Sequence, residues 1–359
     1  MNSEIFVLGD RHGYDSQGVD TLHRDLVRLV AEQHYDVELT EEQMRDVLGT
    51  FENPNNVVEA LEYEMAKIGR DFFPTGEAII RDNRTLVVSL GDLVCSRKPG
   101  EMKVRNLVGK AAKQSRNMGV NQGVALHDLV QDKMLTPEGK DEIYALAKKF
   151  SDLTRRRFEA LKGIESYLDF THLVGNADIL PSFLIDMAYW HNDSNLNNLV
   201  DIYRASGVFS RVVDCRYILL GTDSVSGSES DVLTYLEFDE GKVGLVCVPY
   251  SDNFTMLTHR VKHVLKDRIK EDVPHILFTH ETLDTNIEGG DGRNVEGREC
   301  YNYMISKTKP VKGFSGDLHA PTQDYEHKVG NVVVPMTQVS TNDVVKYDLK
   351  SGVTSVCWK

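Results

Sequence analysis

The chain has 359 residues, 41% of them hydrophobic and 27% charged, with a net charge of −14. That length holds one large α/β domain or two small ones, and the composition is ordinary for a soluble globular protein. No apolar run approaches the roughly 20 residues that span a bilayer. The acidity opposes loose nucleic-acid binding through a global field, but not a nuclease whose local positive charge comes from bound cations.

Ile5-Phe6-Val7-Leu8 reads as a short buried strand running into Gly9-Asp10-Arg11-His12-Gly13. It stands so near the amino terminus that no cleaved leader is expected. A helix is predicted over 19–33, where Leu22, Leu26, Leu29 and Val30 recur at helical spacing. Shorter helices are predicted at about 40–49 and 56–69, opened by Thr40-x-x-Gln43 and Asn56-x-x-Glu59. Leu86 to Leu90 is a second apolar run, and it ends in Gly91-Asp92. Cys95 follows shortly, either as a small buried thiol or close to a site. The five cysteines, Cys95, Cys215, Cys247, Cys300 and Cys357, are odd in number and lack any Cys-x-x-Cys pair. Reduced thiols in a cytoplasmic protein are expected, with no disulfide framework and no thiolate zinc site.

Residues 101–168 lack a motif strand and read as a helical insertion: Lys103 to Arg116, Gly123 to Met134, then Pro137 to Tyr167. Thr136-Pro137-Glu138 is a helix start with proline in the first turn. Two basic clusters lie here, Lys98, Lys103, Arg105, Lys110, Lys113 and Arg116, then Lys148, Lys149, Arg155, Arg156 and Arg157. They read either as a cap that presents cations to an anionic substrate or as a solvated face with i,i+4 pairs such as Asp152 with Arg156.

Phe170 to Val174 runs into Gly175-Asn176-Ala177-Asp178. Two helices are expected over 179–210, broken at 192–195, then strands at 215–221, 232–238 and 243–249 and a helix at about 255–269. His275 to Phe278 runs into Thr279-His280, and Val311 to Ser315 into Gly316-Asp317-Leu318-His319. Between them, Gly289-Gly290-Asp291-Gly292-Arg293 is a plain surface loop or one that brings Arg293 or Arg298 to a phosphate. A strand at 331–335 and a hairpin of 343–348 with 353–358, turning at Lys350-Ser351-Gly352, complete the chain. Alternating β and α through both halves predicts two packed mixed sheets with helices outside.

Five apolar runs thus deliver Asp, Asn or His at their carboxyl ends, where open α/β sheets bind ligands. One such case is common by chance and five are rare. Singly, Asn176 also reads as a turn former and His280 as a core histidine.

The order Asp10-x-His12, Gly91-Asp92, Gly175-Asn176-x-Asp178, His280 and Gly316-x-x-His319 resembles the calcineurin-like metallophosphoesterases, over residues 9 to 319. The resemblance implies a four-layer α/β/β/α sandwich, here a single domain over 1–359 with the insertion at about 101–168. It also implies two divalent cations. Asp10, His12, Asp92 and His319 would hold one, with Asp92 bridging, and Asn176, His280 and Asp317 would complete the other. Hydrolysing a phosphate ester needs charge neutralised on the phosphoryl oxygens and an attacking metal-bound hydroxide near neutral pH, which two cations roughly 3.5–4 Å apart supply. Oxygen and imidazole ligands suit Mn, Fe or Zn. The family usually has Gly-His-x-His where this chain has Asp317, and the carboxylate shifts preference toward Mn or Mg.

The second departure is Ala177, where the family carries the histidine that acts as general acid. A methyl group donates no proton, and losing a general acid typically costs roughly 10²–10⁴-fold. Either the leaving group needs little protonation, or another side chain such as His172, His191 or His259 substitutes, or the protein is a weak enzyme or a metal-dependent binder. Asp178 would normally pair with that histidine, so its role is open. Asp10, His12, Asp92, Asn176 and Asp178 form the expected catalytic set.

Gly316-Asp317-Leu318-His319-Ala320-Pro321 followed by Asn331 to Pro335 resembles the DNA double-strand-break repair nuclease branch, although the second segment equally reads as a plain strand and turn. The capping and ATPase-partner segments of those nucleases are expected to be absent, because only about 40 residues follow His319. The expected function is a metal-dependent phosphoesterase acting on a phosphodiester in nucleic acid or a nucleotide. The alternatives are a protein or small-molecule phosphomonoesterase and a degenerate metal-binding module.

Overall fold

The computed structural model describes residues 3–11, 20–49, 55–70, 84–93, 110, 128–132, 135–175, 178, 182, 185, 199–215, 232–251, 254–283, 297–317 and 320–358. The apolar runs become strands buried along nearly their whole length, as parallel strands covered on both faces must be. β1 (Glu4–Leu8), β2 (Thr85–Ser89), β3 (Leu168–Leu173) and β4 (Arg211–Val213) lie parallel in that order. The free edge of β1 is taken by the antiparallel hairpin β11 (Val344–Asp348) and β12 (Val353–Trp358).

The second sheet is built around β6 (Gly241–Val248), β7 (His275–Thr279), β8 (Lys312–Ser315) and β10 (Val332–Gln338), again parallel. β5 (Leu233–Phe238) and β9 (Gln323–Val329) close its edges antiparallel. Among the described residues each sheet therefore has six strands and is mixed. The sheets meet through aromatic side chains. Phe314 stacks on Phe278 at 5.6 Å and turns its edge to Tyr347 of the other sheet at 5.7 Å.

Helices flank this pair of sheets. Asp20 caps α1 (Thr21–Tyr35) by accepting from the amides of Leu22 and His23, and Thr40 with Gln43 forms the capping box of α2 (Glu41–Leu48). Asn56 caps α3 (Val57–Lys67), and Thr136 caps α4 (Pro137–Glu159). α5 (Leu199–Ala205) packs on α4 and β4. α6 (Phe254–Leu265) packs on α7 (Arg298–Thr308), which lies on β6, β9 and β10. The result is an α/β/β/α sandwich. No helix among the described residues is long and apolar enough to cross a membrane.

Several expectations need correction. The helix from Pro137 stops at Glu159 instead of Tyr167, because Gly163 turns the chain at φ 98 and a 3₁₀ turn leads into β3. β4 was not expected, and the strand expected at 215–221 lies, apart from Cys215, outside the described residues. β9 and α7 were not expected. β9 is a polar edge strand whose side chains alternate between half-buried and exposed. α7 buries Cys300, Tyr301, Met304, Ile305 and Thr308, a helical stripe diluted by polar neighbours. Of the first two insertion helices, Lys110 and residues 128–132 are helical, and the rest lie outside the described residues.

Candidate metal centre

The carboxyl ends of the parallel strands from both sheets converge, and backbone hydrogen bonds stitch their turns together. Leu90 donates to Leu8 O (3.0 Å), Arg11 to Asp92 O (3.2 Å) and Gly316 to His280 O (3.0 Å). The Tyr250 amide donates to Val174 O at 3.0 Å, which ties the second sheet to the first. In this frame Asp92, His280 and Asp317 come together, with one ligand atom of each within 4.8 Å of the others. His280 Nε2 lies 4.0 Å from Asp92 Oδ1 and 3.9 Å from Asp317 Oδ1. Asp92 and His280 are buried, while Asp317 is partly open to solvent.

Asp92 and Asp317 hold left-handed backbone, φ 49 and 58. Aspartate tolerates this region better than most residues, yet such backbone costs of order 1–3 kcal/mol and persists only where the surroundings enforce it. Two glycines make the enforcement possible. A Cβ on Gly91 (φ 134) would fall 2.8 Å from His280 Cε1 and closer still to Nδ1. A Cβ on Gly175 would fall 2.7 Å from both the Asp92 amide nitrogen and His280 Cε1.

His280 Nδ1 lies 2.8 Å from Leu90 O. A carbonyl only accepts, so Nδ1 carries the proton and the Nε2 lone pair faces the two carboxylates. Burial works against a charged ring here, but Asp317 and Asp10 outweigh it and hold the imidazole above its ordinary range. The Asp10 carboxyl is held well above the usual carboxylate range. Burial is the main cause, the Asp92 carboxylate the next, with Asp317 and Asp178 adding and His280 opposing. Asp10, Asp92 and Asp317 thus act electrostatically on one another and on one imidazole. Hard oxygens with one oriented nitrogen are a donor set that fits a divalent cation.

Two buried arginines brace these turns from outside. Arg11 donates from Nε to Asp25 Oδ2 of α1 at 2.6 Å, and to the carbonyls of Thr341 and Asp343 before β11. Arg157 of α4 grips both oxygens of Asp20, at 2.6 and 2.7 Å, and donates to Leu93 O beside Asp92. This corrects the reading of Arg155, Arg156 and Arg157 as one basic surface, since Arg157 is buried in an ion pair. Asp152 pairs with Arg155 at 2.9 Å, not with Arg156.

Of the other expected ligands, His12, Asn176 and His319 lie outside the described residues, as do Cys95, Ala177, His191 and Arg293. Asp178 is fully buried. Its oxygens accept from the Gly175 amide (3.0 Å) and the Tyr203 hydroxyl (2.9 Å) and face His172 Nε2 at 3.2 Å. His172 is likewise fully buried, so it is not an exposed proton donor for a substrate. His259 is exposed on α6, and Arg298 is the exposed first residue of α7. The sequence reading missed Arg11 and the Asp20–Arg157 pair as supports of the site. The helical period of α4 would have shown that Arg157 points inward.

No protein-family model matches the chain, and no curated protein matches it in sequence. Solved structures align with it at low identity. TT1561 of Thermus thermophilus is 11% identical at a TM-score of 0.30, covering 85% of this chain and 94% of that one. A Staphylococcus aureus protein described as a "putative 5'-nucleotidase", solved with alpha-ketoglutarate, is 12% identical at a TM-score of 0.36. That alignment covers 98% of this chain and 52% of the other, so this chain spans about half its length. At such scores the likenesses say nothing of chemistry, which rests on the residues themselves.

Proposed function

We propose that the chain is a metal-dependent phosphoesterase of the calcineurin-like kind, acting on a phosphodiester in nucleic acid or a nucleotide. The observation that carries this reading is the meeting of Asp92, His280 and Asp317 at the carboxyl ends of strands from two sheets, with Asp10 in the same field. Divalent cations there, Mn before Fe, Zn or Mg, would neutralise phosphoryl charge and lower the pKa of water. Asp10, His12, Asp92 and His319 would hold one cation and Asn176, His280 and Asp317 the other, with Asp92 shared. The chain's own part is to orient these groups. Leu90 O aims His280 Nε2 inward, and the left-handed turns at residues 92 and 317 set the carboxylates facing it. In the same proposal the chain is one domain and the insertion at 101–168 caps the site. The buried free thiols of Cys215, Cys247 and Cys300 agree with a reducing cytoplasm.

Ala177 favours a second reading, a metal-binding module with little turnover, because the histidine the family uses as proton donor is replaced. One experiment separates the readings. Protein purified with Mn is assayed for bound metal and for turnover of bis- and mono-p-nitrophenyl phosphate and single-stranded DNA. About two ions per chain with faster bis-ester hydrolysis is expected. Full turnover by chelated protein would refute the metal-dependent mechanism, and bound metal without turnover would establish the module.

A further inference from the structure

We propose that Ser89, His172 and Asp178 are positioning residues, a buried polar cluster that fixes the Gly91–Asp92 turn and the Gly175 backbone packed against it at the cation site. The inference rests on the metal-site reading above. His172 on β3 and Ser89 on β2 are partners in the parallel register, which places the histidine directly beneath the Gly91–Asp92 turn.

The polar atoms form a directed series. Gly91 N–H points to Ser89 Oγ at 3.5 Å, and Ser89 Oγ lies 3.3 Å from His172 Nδ1. On the far side of the ring, Nε2 faces Asp178 Oδ2 at 3.2 Å. A carboxylate only accepts, so Nε2 is the nitrogen suited to present a proton toward Asp178, which leaves Nδ1 to accept from the Ser89 hydroxyl. Asp178 closes its own turn, accepting from Gly175 N at 3.0 Å while its amide donates to Gly175 O at 3.2 Å. Tyr203 OH occupies the remaining carboxylate oxygen at 2.9 Å, and the rings of Tyr203 and Phe209 enclose the imidazole. Nε2 meets Asp178 at ion-pair distance without hydrogen-bond geometry, so this contact is electrostatic. The series runs from the Gly91–Asp92 turn to the Gly175 backbone.

Those two turns are also in direct contact. The Gly175 Cα leaves no room for a methyl group beside Asp92, so the place of the Gly175 turn decides where the Asp92 carboxylate sits. A merely structural histidine would serve no better than leucine in this core. Burying an imidazole, a carboxylate, a phenol and a hydroxyl together costs desolvation that apolar packing avoids. The cost is explained if the network holds the ligand turns in register, as hydrogen-bonded groups behind metal ligands do.

The test measures Mn affinity by electron paramagnetic resonance, and thermal midpoint in chelator, for the full chain and for Ser89→Ala, His172→Gln and Phe150→Leu. Phe150 is a buried residue of α4 with no part in the network. Ser89→Ala and His172→Gln should each weaken Mn binding by about 10–100-fold, while Phe150→Leu lowers the midpoint and leaves affinity unchanged. If His172→Gln does not fold, Ser89→Ala, which removes one hydroxyl from a strand, decides. Unchanged affinity in the network variants, or a loss matched by Phe150→Leu, overturns the positioning role and leaves the metal site standing. Wild type that binds no Mn overturns both.

Discussion

The Gly175→Ala substitution adds one methyl group at the point where the two sheets' turns touch. Its Cβ would stand 2.7 Å from the Asp92 amide nitrogen and 2.7 Å from His280 Cε1, and nearer still to Asp92 Oδ1. Non-bonded heavy atoms settle at about 3.5–4.0 Å, so the overlap is close to 1 Å on three sides. One of the three is backbone and cannot rotate away. Relief requires one turn to move by about 1 Å, whereas metal–ligand distances tolerate roughly 0.2 Å. Overpacking of this kind typically costs 1–3 kcal/mol of stability. We expect a larger effect on the site, a loss of at least about 100-fold in Mn affinity, or about 2.7 kcal/mol. Calorimetric titration with Mn, with urea melts in chelator, reads the two effects separately. Gly207→Ala is the control. Its φ of 73 strains an alanine, but nothing lies within 4 Å of the new Cβ. It should cost about 1 kcal/mol of stability and leave Mn affinity alone. Mn affinity within about threefold of wild type in the Gly175 variant would refute the claim that these turns set the ligand geometry.

Asp92→Asn should abolish Mn binding yet raise the thermal midpoint in chelator. Asparagine tolerates φ 49, and one carboxylate leaves a crowded cluster; a lower midpoint would show that Asp92 serves the fold. Mn affinity should rise with pH, because Asp10 and His280 are both held above their ordinary ranges and must lose protons to bind a cation. The matching sign for metal-free stability is that the raised groups stabilise fully below their unfolded values, about 3.9 and 6.5. That contribution fades as pH rises through the folded values, so the Mn-loaded and chelated midpoints should diverge on raising pH from about 4. A constant gap would contradict it. Arg157→Met should cost about 3–5 kcal/mol in urea melts, because it leaves Asp20 buried and unpaired, and Arg157→Lys should recover only part, lacking the two-pronged grip. A loss under about 1 kcal/mol would mean that water reaches Asp20.

Much of the frame was legible because its signals are local. The apolar runs before Asp10, Asp92, His280 and Asp317 became buried parallel strands, and each helix cap at Asp20, Thr40, Asn56 and Thr136 sits on a residue suited to it. What escaped was set by tertiary contact. With alanine at position 177 the role of Asp178 stays open in the sequence, and the structure shows it facing His172, six residues back. No spacing rule joins those two. Arg157 is a different case. It falls on the stripe of Phe150, Thr154 and Phe158 that α4 buries, and the run of three arginines masked that period. β9 escaped because an edge strand has only one neighbour and needs little apolar signal.

The pairing of β1 with β11 has a consequence in time. Glu4 faces Asp348 and Leu8 faces Val344, so one flank of β1 waits for β11, far along the chain. Arg11, next to Asp10, likewise waits for the carbonyls of Thr341 and Asp343. Contacts this distant in sequence form slowly and leave an open strand edge during synthesis. A nascent chain can pair β1 with β2, but Arg11 lacks its Thr341 and Asp343 acceptors until those residues have emerged. Truncation before β11 would therefore loosen the hold on Asp10 and act near the cation site, far in sequence from the cut.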